Sequence, residues 1–360
     1  MSCIICGKTE LVSSPLNVCL NCIRMKFSDA VPFIKKAHAE SRKKFNLPAE
    51  PPRDPQGVRC GLCVNSCVIG IGRMGYCGLR KNENGRLIEK GIVECYYDAL
   101  PTNCVADWCC PGGTGAGYPK FSYSKNAPEY GYKNLAVFYG ACTFNCLFCQ
   151  NWHYRERARN LSPSMSAQEL ASWADEKTSC ICYFGGDPAA QMPHALRTSE
   201  LAIERAKGKI LRICWESNGS MSLPLLKKAA ELSLESGGII KFDLKAWDEN
   251  LNIALAGVTN KQTLKNFERL AEYGVSRRMP PFLTASTLLV PGYIDAAEVE
   301  NIAKFIAGLD DEIPYSLLAF CPQFYMKDLP TTSRRQAEEC CAAAKKYLKN
   351  VRIGNVHLLS

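Results

Sequence analysis

The sequence predicts an α/β chain in which repeated strand–helix units build a parallel sheet, preceded by a cysteine-rich, metal-binding N-terminal region. Three observations predict it. Apolar strand-like runs alternate with helical patterns from about residue 134 onward. Short polar or glycine-rich motifs stand directly after several of those runs, where the C-terminal ends of parallel strands carry working groups. Most of the 21 cysteines precede or adjoin the first of these strands.

Composition narrows the class. In 360 residues, 47% are hydrophobic and 22% charged, which is globular and not disordered. The formal charge of +9 suits an acidic partner surface or an anionic cofactor. No stretch alternates basic and aromatic residues, so nucleic-acid binding has no positive signal. No apolar run approaches the roughly 18 residues a membrane span needs. Met-Ser-Cys-Ile-Ile-Cys-Gly has no basic flank leading into an apolar run, so no signal peptide is expected. A cytoplasmic location follows, where disulfides are rare and cysteines serve first as thiolate ligands.

Four regions are expected. Residues 1–26 form a zinc-ribbon-like knuckle: Cys3, Cys6, Cys19 and Cys22 make C-x2-C-x12-C-x2-C, four thiolates for one Zn or Fe ion. The site is closed, so its role is folding or docking. Residues 27–56 form a helical linker, with an amphipathic helix over Asp29–Lys44 before Pro51, Pro52 and Pro55. Residues 57–130 are a cysteine- and glycine-rich lead-in, where Cys60, Cys63, Cys67 and Cys77 hold either Zn or an iron–sulfur cluster. Cys95, Cys104, Cys109 and Cys110, ahead of a glycine loop, read as incidental thiols or as a further site. Residues 131–360 carry the strand–helix repeats.

The informative segment is NLAVFYGACTFNCLFCQNW, residues 134–152. Leu135–Tyr139 reads as a buried strand, and the loop after it holds Cys142, Cys146 and Cys149 in C-x3-C-x2-C spacing. Three thiolates on one loop can hold three irons of a 4Fe–4S cluster and leave the fourth open. Further strands are expected at Cys180–Phe184, Ile210–Trp215, Ile239–Leu244, Thr284–Val290, Tyr315–Phe320 and Val351–Leu358. Helices are expected between them at Ala167–Glu176, Gln191–Lys207, Leu223–Glu235, Gln262–Tyr273, Ala296–Leu309 and Arg334–Leu348. Ser166 with Glu169, and Ser333 with Gln336, read as capping boxes. At strand ends stand Gly185-Gly186-Asp187, Ser217-Asn218, Asp243-Leu244-Lys245 and Val290-Pro291-Gly292. The glycines admit a ligand close to backbone, and Asp187 can accept from an ammonium. Asp243 and Lys245 share one side of an extended segment and could address the two charges of a zwitterion.

C-x3-C-x2-C at the end of a first strand resembles the radical S-adenosylmethionine (SAM) superfamily, whose fold would be a partial (β/α)6 barrel. The motif order, with DLKAWDENLNIALAGVTNKQTLKN and LLVPGYID, is similar to that of the activating enzymes of glycyl radical proteins. The lead-in like Cys60–Cys77, the QNW after the cluster motif and a terminal VRIGNVHLL resemble the AmmeMemoRadiSam branch. The resemblance implies a 4Fe–4S cluster on Cys142, Cys146 and Cys149. Gly185, Gly186 and Asp187 would hold the SAM amino group, and Ser217, Asn218, Asp243 and Lys245 would line the SAM and substrate side. It also implies an oxygen-sensitive enzyme of anaerobic setting, which cleaves SAM reductively and abstracts hydrogen from a protein or peptide residue. An external electron donor is then a partner. Methylation, for which cobalamin would be the methyl carrier as in the enzymes that C-methylate methyl-coenzyme M reductase, is the slightly favoured outcome. A glycyl radical left on a partner enzyme is the alternative, and a non-catalytic iron–sulfur electron carrier a remote one. Two departures stand out: Phe320-Cys321-Pro322 where relatives have Phe-His-Pro, and the extra knuckle at 3–22. Cys321 and Tyr139 are the candidate catalytic side chains.

Overall fold

The computed structural model describes residues 1–102 and 104–360. Its centre is an eight-stranded sheet of β1 (Val93–Ala99), β2 (Lys133–Tyr139), β3 (Thr178–Gly185), β4 (Arg212–Ser217), β5 (Ile240–Asp243), β6 (Leu283–Leu289), β7 (Tyr315–Ala319) and β8 (Val351–Gly354). Strand order follows chain order, and β2 to β8 all run parallel. Such a sheet never reverses its direction of growth, so right-handed crossovers place the helices on one face and curl the other into a barrel interior. This is the α/β barrel-type fold that the alternating pattern predicts.

One strand of this sheet was not foreseen. β1 lies in the lead-in and pairs antiparallel with β2, Val93 opposite Tyr139 and Ala99 opposite Lys133, so the sheet begins before residue 131. Residues 104–132 then cross the barrel interior. Trp108 Nε1 donates to Ser316 Oγ at 3.0 Å, and Ser316 Oγ donates to the Val105 carbonyl at 3.2 Å. A second unforeseen element is the helix Glu249–Ala256, capped by Asp248, whose carboxylate accepts from Leu251 N.

Alternation sets which side chains look inward. Tyr183 and Trp215 are buried between sheet and helices, where their rings stack at 4.6 Å, while Cys182 and Cys214 fall on the opposite face. Ser166 and Glu169 form a full capping box. At Ser333 only half of one exists: Ser333 accepts from Gln336 N, but the Gln336 side chain donates to the Ile294 carbonyl at 2.8 Å instead. The N-terminal knuckle joins the same core as the barrel, with Tyr293 accepting from Ser13 N at 3.0 Å and donating to the Val18 carbonyl at 3.2 Å. Among the described residues no helix is long and apolar enough to cross a membrane.

Candidate functional site

At the C-terminal ends of β2 to β5 lies a cavity of about 260 Å³, lined among others by Cys142, Cys146 and Cys149. The loop that carries them is held from outside by its own intervening residues. Asn145 N donates to the Ala256 carbonyl at 2.8 Å and Leu147 N to that of Leu255 at 3.0 Å. The Asn145 side chain is a hub: Nδ2 donates to Ser41 Oγ at 2.8 Å and to His38 Nδ1 at 2.9 Å, while Oδ1 accepts from Arg155 Nη2 at 2.9 Å. Burial lowers the His38 pKa to about 4, so the ring is neutral. Its Nε2 then carries the proton toward the Ala254 carbonyl at 3.0 Å, which leaves Nδ1 free to accept from Asn145. The helix Phe27–Lys43, expected as a linker, therefore clamps the cysteine loop.

No three sulfurs of Cys142, Cys146 and Cys149 lie within 4.8 Å of one another; among the described residues only Cys3, Cys6, Cys19 and Cys22 meet that spacing. A single ion draws its ligands together, whereas a cluster interposes iron and sulfide between them, so these sulfurs are not gathered as around one ion. Arg155 tests the fit. It is fully buried, and its Nε and Nη1 have no hydrogen-bond partner. A buried guanidinium with uncommitted nitrogens beside these thiols suits a thiolate-held anionic group. Burial, with the neighbouring negative charges, pushes the Cys142 thiol up and raises Cys146 to about 12. Free thiolates are thus disfavoured until a metal takes the proton's place.

The glycine motif after β3 forms the next wall. Gly185 has φ +105°, and a Cβ there would stand 2.3 Å from Tyr139 N; at Gly186 it would stand 2.1 Å from the Ala141 carbonyl oxygen. The two glycines let β3 press against the backbone that leads into Cys142. A Gly186→Ala chain is expected to lose about 1–3 kcal/mol of stability together with iron loading, read by denaturant unfolding and iron analysis.

Asp187 is buried and lines the cavity, but its carboxylate is already engaged by the protein. It accepts from Asn218 N at 2.6 Å, Ala189 N at 2.7 Å and Ser217 Oγ at 3.0 Å. Burial raises its pKa to about 6, with the Asn218 and Ala189 amides pulling against that rise. Asn218 in turn donates through Nδ2 to Thr143 Oγ1 at 2.8 Å. The ends of β3 and β4 are thus tied to the cysteine loop.

Asp243 and Lys245 face the cavity together and pair with each other at 2.8 Å. Burial alone would lift the Asp243 carboxyl, but Lys245 and Lys241 outweigh it and hold the group well below the usual carboxylate range. Burial likewise works against the Lys245 ammonium, and Asp243 more than restores it. The sequence reading missed the continuation of this row. Lys241 pairs with Glu216, and Glu216 Oε1 accepts from Cys104 Sγ at 2.9 Å. Alternating charges therefore descend from the cavity mouth to a cysteine on the segment inside the barrel. The signal was present as the inward phase of β4 and β5, but only the crossing segment shows what they meet.

Neither candidate catalytic side chain lines this cavity. Tyr139 is fully buried on the helix side of the sheet, its hydroxyl 3.0 Å from His194 Nδ1. Cys321 is half-buried beyond β7, outside the lining set. The N-terminal knuckle is a separate centre: Cys6 and Cys19 sulfurs stand 3.9 Å apart, close to the roughly 3.8 Å that a tetrahedral ion with ~2.3 Å metal–sulfur bonds imposes.

Residues 136–306 match the family model of the radical SAM superfamily. An uncharacterized protein of Methanocaldococcus jannaschii is 24% identical over 322 residues, 84% of this chain and 83% of that protein. A second protein of that archaeon, provisionally named a glycyl-radical enzyme activating enzyme, is 30% identical over 112 residues, 31% of this chain and 42% of its own. Among solved structures, Streptococcus suis SuiB bound to the precursor peptide SuiA aligns with TM-score 0.47 and 16% identity, over 60% of this chain and 47% of that one. A radical SAM methyltransferase from Sphaerobacter thermophilus aligns with TM-score 0.46 and 14% identity, over 62% of this chain and 66% of that one.

Proposed function

We propose, for a chain that carries a radical SAM superfamily domain over residues 136–306, that it abstracts hydrogen from a C–H bond of a residue in another protein or peptide. The observation that carries this reading is the convergence of Cys142, Cys146 and Cys149 with Gly185–Asp187, Asn218, Asp243 and Lys245 around one cavity. A 4Fe–4S cluster on the three cysteines, with SAM on its open iron, would supply the 5′-deoxyadenosyl radical.

The protein's own work is to position and to exclude water. Asn145, clamped by His38, Ser41 and Arg155, fixes the middle of the cysteine loop. Asp243 and Lys245 present opposite charges at the cavity, as the carboxylate and ammonium of a zwitterionic cofactor require. Burial of the walls excludes water from a reactive intermediate.

The named relative supports a protein substrate, and of the two outcomes it favours activation, leaving a glycyl radical on a partner enzyme. Methylation rests on the elaborated N-terminal third and would require a corrinoid. Anaerobic protein reconstituted with iron and sulfide is expected to convert SAM to 5′-deoxyadenosine under dithionite; no product overturns the reading. Candidate partner peptides then separate the outcomes. A methylene mass gain that depends on cobalamin means methylation, and a carbon-centred EPR signal without mass gain means activation.

A further inference from the structure

Cys60, Cys63, Cys67 and Cys77 line one small pocket, separate from the cavity just described. The hairpin that carries the first three closes by Cys60 N donating to the Cys67 carbonyl at 2.8 Å. Tyr76 N approaches Cys67 Sγ at 3.5 Å and Asn65 Nδ2 approaches Cys63 Sγ at 3.8 Å, so N–H groups already point at two of the sulfurs.

The spacing bears on the two metals that the sequence leaves open. Four sulfurs on one zinc at ~2.3 Å stand about 3.8 Å apart. The N-terminal knuckle meets that, with 3.9 Å between Cys6 and Cys19 sulfurs and all four within 4.8 Å of one another. In the Cys60–Cys77 set no three sulfurs do, although all four residues face one pocket. It shares that wider spacing with Cys142, Cys146 and Cys149. Arg80 is a second, independent sign. This buried guanidinium lines the pocket, is paired with Glu89, and leaves its Nε without an acceptor. Four thiolates on one zinc or on an oxidised 4Fe–4S cluster both leave a net charge of −2, but a cluster takes up a further negative charge on reduction, which a buried cation in the wall offsets.

We propose that Cys60, Cys63, Cys67 and Cys77 hold a second iron–sulfur cluster, fully ligated by cysteine, that serves as the entry point for electrons. Its place favours that role. Thr143, the residue after Cys142, forms part of the pocket wall, and its carbonyl accepts from Asn65 Nδ2 at 2.7 Å. Val64 N donates to the Ser220 carbonyl at 2.9 Å, and Ser220 Oγ lies 2.7 Å from Thr143 Oγ1. The two centres thus share one hydrogen-bonded wall. With four protein ligands there is no open iron, so the cluster only carries charge. One electron arrives from a low-potential donor of the flavodoxin or ferredoxin class, and one electron leaves toward the Cys142 loop; no atom is transferred.

This inference rests on the proposed function only for its electron-entry role. The test uses the full chain with Cys142→Ala, Cys146→Ala and Cys149→Ala combined, reconstituted with iron and sulfide. It is expected to retain acid-labile sulfide and, after reduction, an EPR signal that SAM does not alter. Absence of labile sulfide, or a second zinc equivalent per chain, overturns the proposal. In a Cys63→Ala/Cys67→Ala chain that signal is lost while the SAM-sensitive one persists. Flavodoxin-driven SAM cleavage is then lost while dithionite-driven cleavage continues; equal rates with both donors overturn the electron-entry role. Zinc at this site in a chain that cleaves SAM overturns this inference alone, and failure of cleavage in a chain with labile sulfide here overturns the proposed function alone.

Discussion

A Cys142→Ala chain is expected to fold, to load less iron, and to form no 5′-deoxyadenosine from SAM and dithionite. Cys142 is the first of the three loop thiols and the one nearest the strand end, with Phe144 N at 3.3 Å and Asn218 Nδ2 at 3.7 Å from its sulfur. Those donors remain after substitution, and Asn145 still ties the loop to His38, Ser41 and Arg155. The backbone should therefore persist while one of three ligands is gone. Far-UV circular dichroism checks the fold, iron and sulfide analysis the loading, and liquid chromatography the nucleoside. A Cys340→Ala chain is the control: that thiol is buried in the helix Arg334–Lys345, outside the cavity lining, and its loss should leave cleavage intact. Cleavage retained by Cys142→Ala would remove the loop from the site.

The parallel strands were legible because strands buried on both faces are runs of apolar residues, as Leu135–Tyr139 and Cys180–Phe184 are. β1 was not, because it is an antiparallel edge strand: in VECYYDA the tyrosines are exposed, and the segment reads as neither run nor clean alternation. β4 was placed at 210–215 but runs Arg212–Ser217. Its inward row of Arg212, Cys214 and Glu216 is polar, which hides the strand from a search for apolar residues. Helix Glu249–Ala256 is short and apolar on several sides, so no helical stripe announces it, yet its last carbonyls hold the cysteine loop.

The site divides in the same way. Spacing along the chain revealed the ligand sets, because thiols that share a metal recur at short intervals. It could not reveal Asn145, which stands inside the C-x3-C-x2-C motif and acts through residues about a hundred positions away. Nor could it show that His38, on an amphipathic helix, is a neutral buried acceptor. Charges paired between neighbouring strands, such as Lys241 with Glu216, become visible only when strand register is known.

Replacing Glu129 with glutamine is expected to destabilise the chain by about 3–5 kcal/mol, the range for removing one partner of a buried ion pair. Arg212 and Glu129 are 1% and 0% exposed at the side chain. Two guanidinium nitrogens reach the two carboxylate oxygens at 2.8 and 2.6 Å. The remaining capacity of the carboxylate is filled by Ser122 Oγ and Tyr123 N, each at 2.8 Å, and Ser179 Oγ at 2.7 Å. A glutamine side chain would have the same shape, but its amide nitrogen would meet donors, and the Arg212 charge would stay buried without compensation. Arg212 lies on β4 and Glu129 in the segment that crosses the barrel, so the pair anchors the piece of chain that brings Val105 and Cys104 to the cavity and its row of charges. Burial alone would raise the Glu129 pKa, but the bonds and charge of Arg212 lower it. Its contribution is thus fully present above the unfolded carboxylate value of about 4.3 and is lost as pH falls through the lower folded value. Denaturant unfolding of both chains should show the gap near neutral pH and its closure in acid. A Glu129→Gln/Arg212→Met double variant should recover part of the loss, since it leaves no unpaired charge. Additive losses in the double variant would show that packing, and not the charge pair, holds the segment in place.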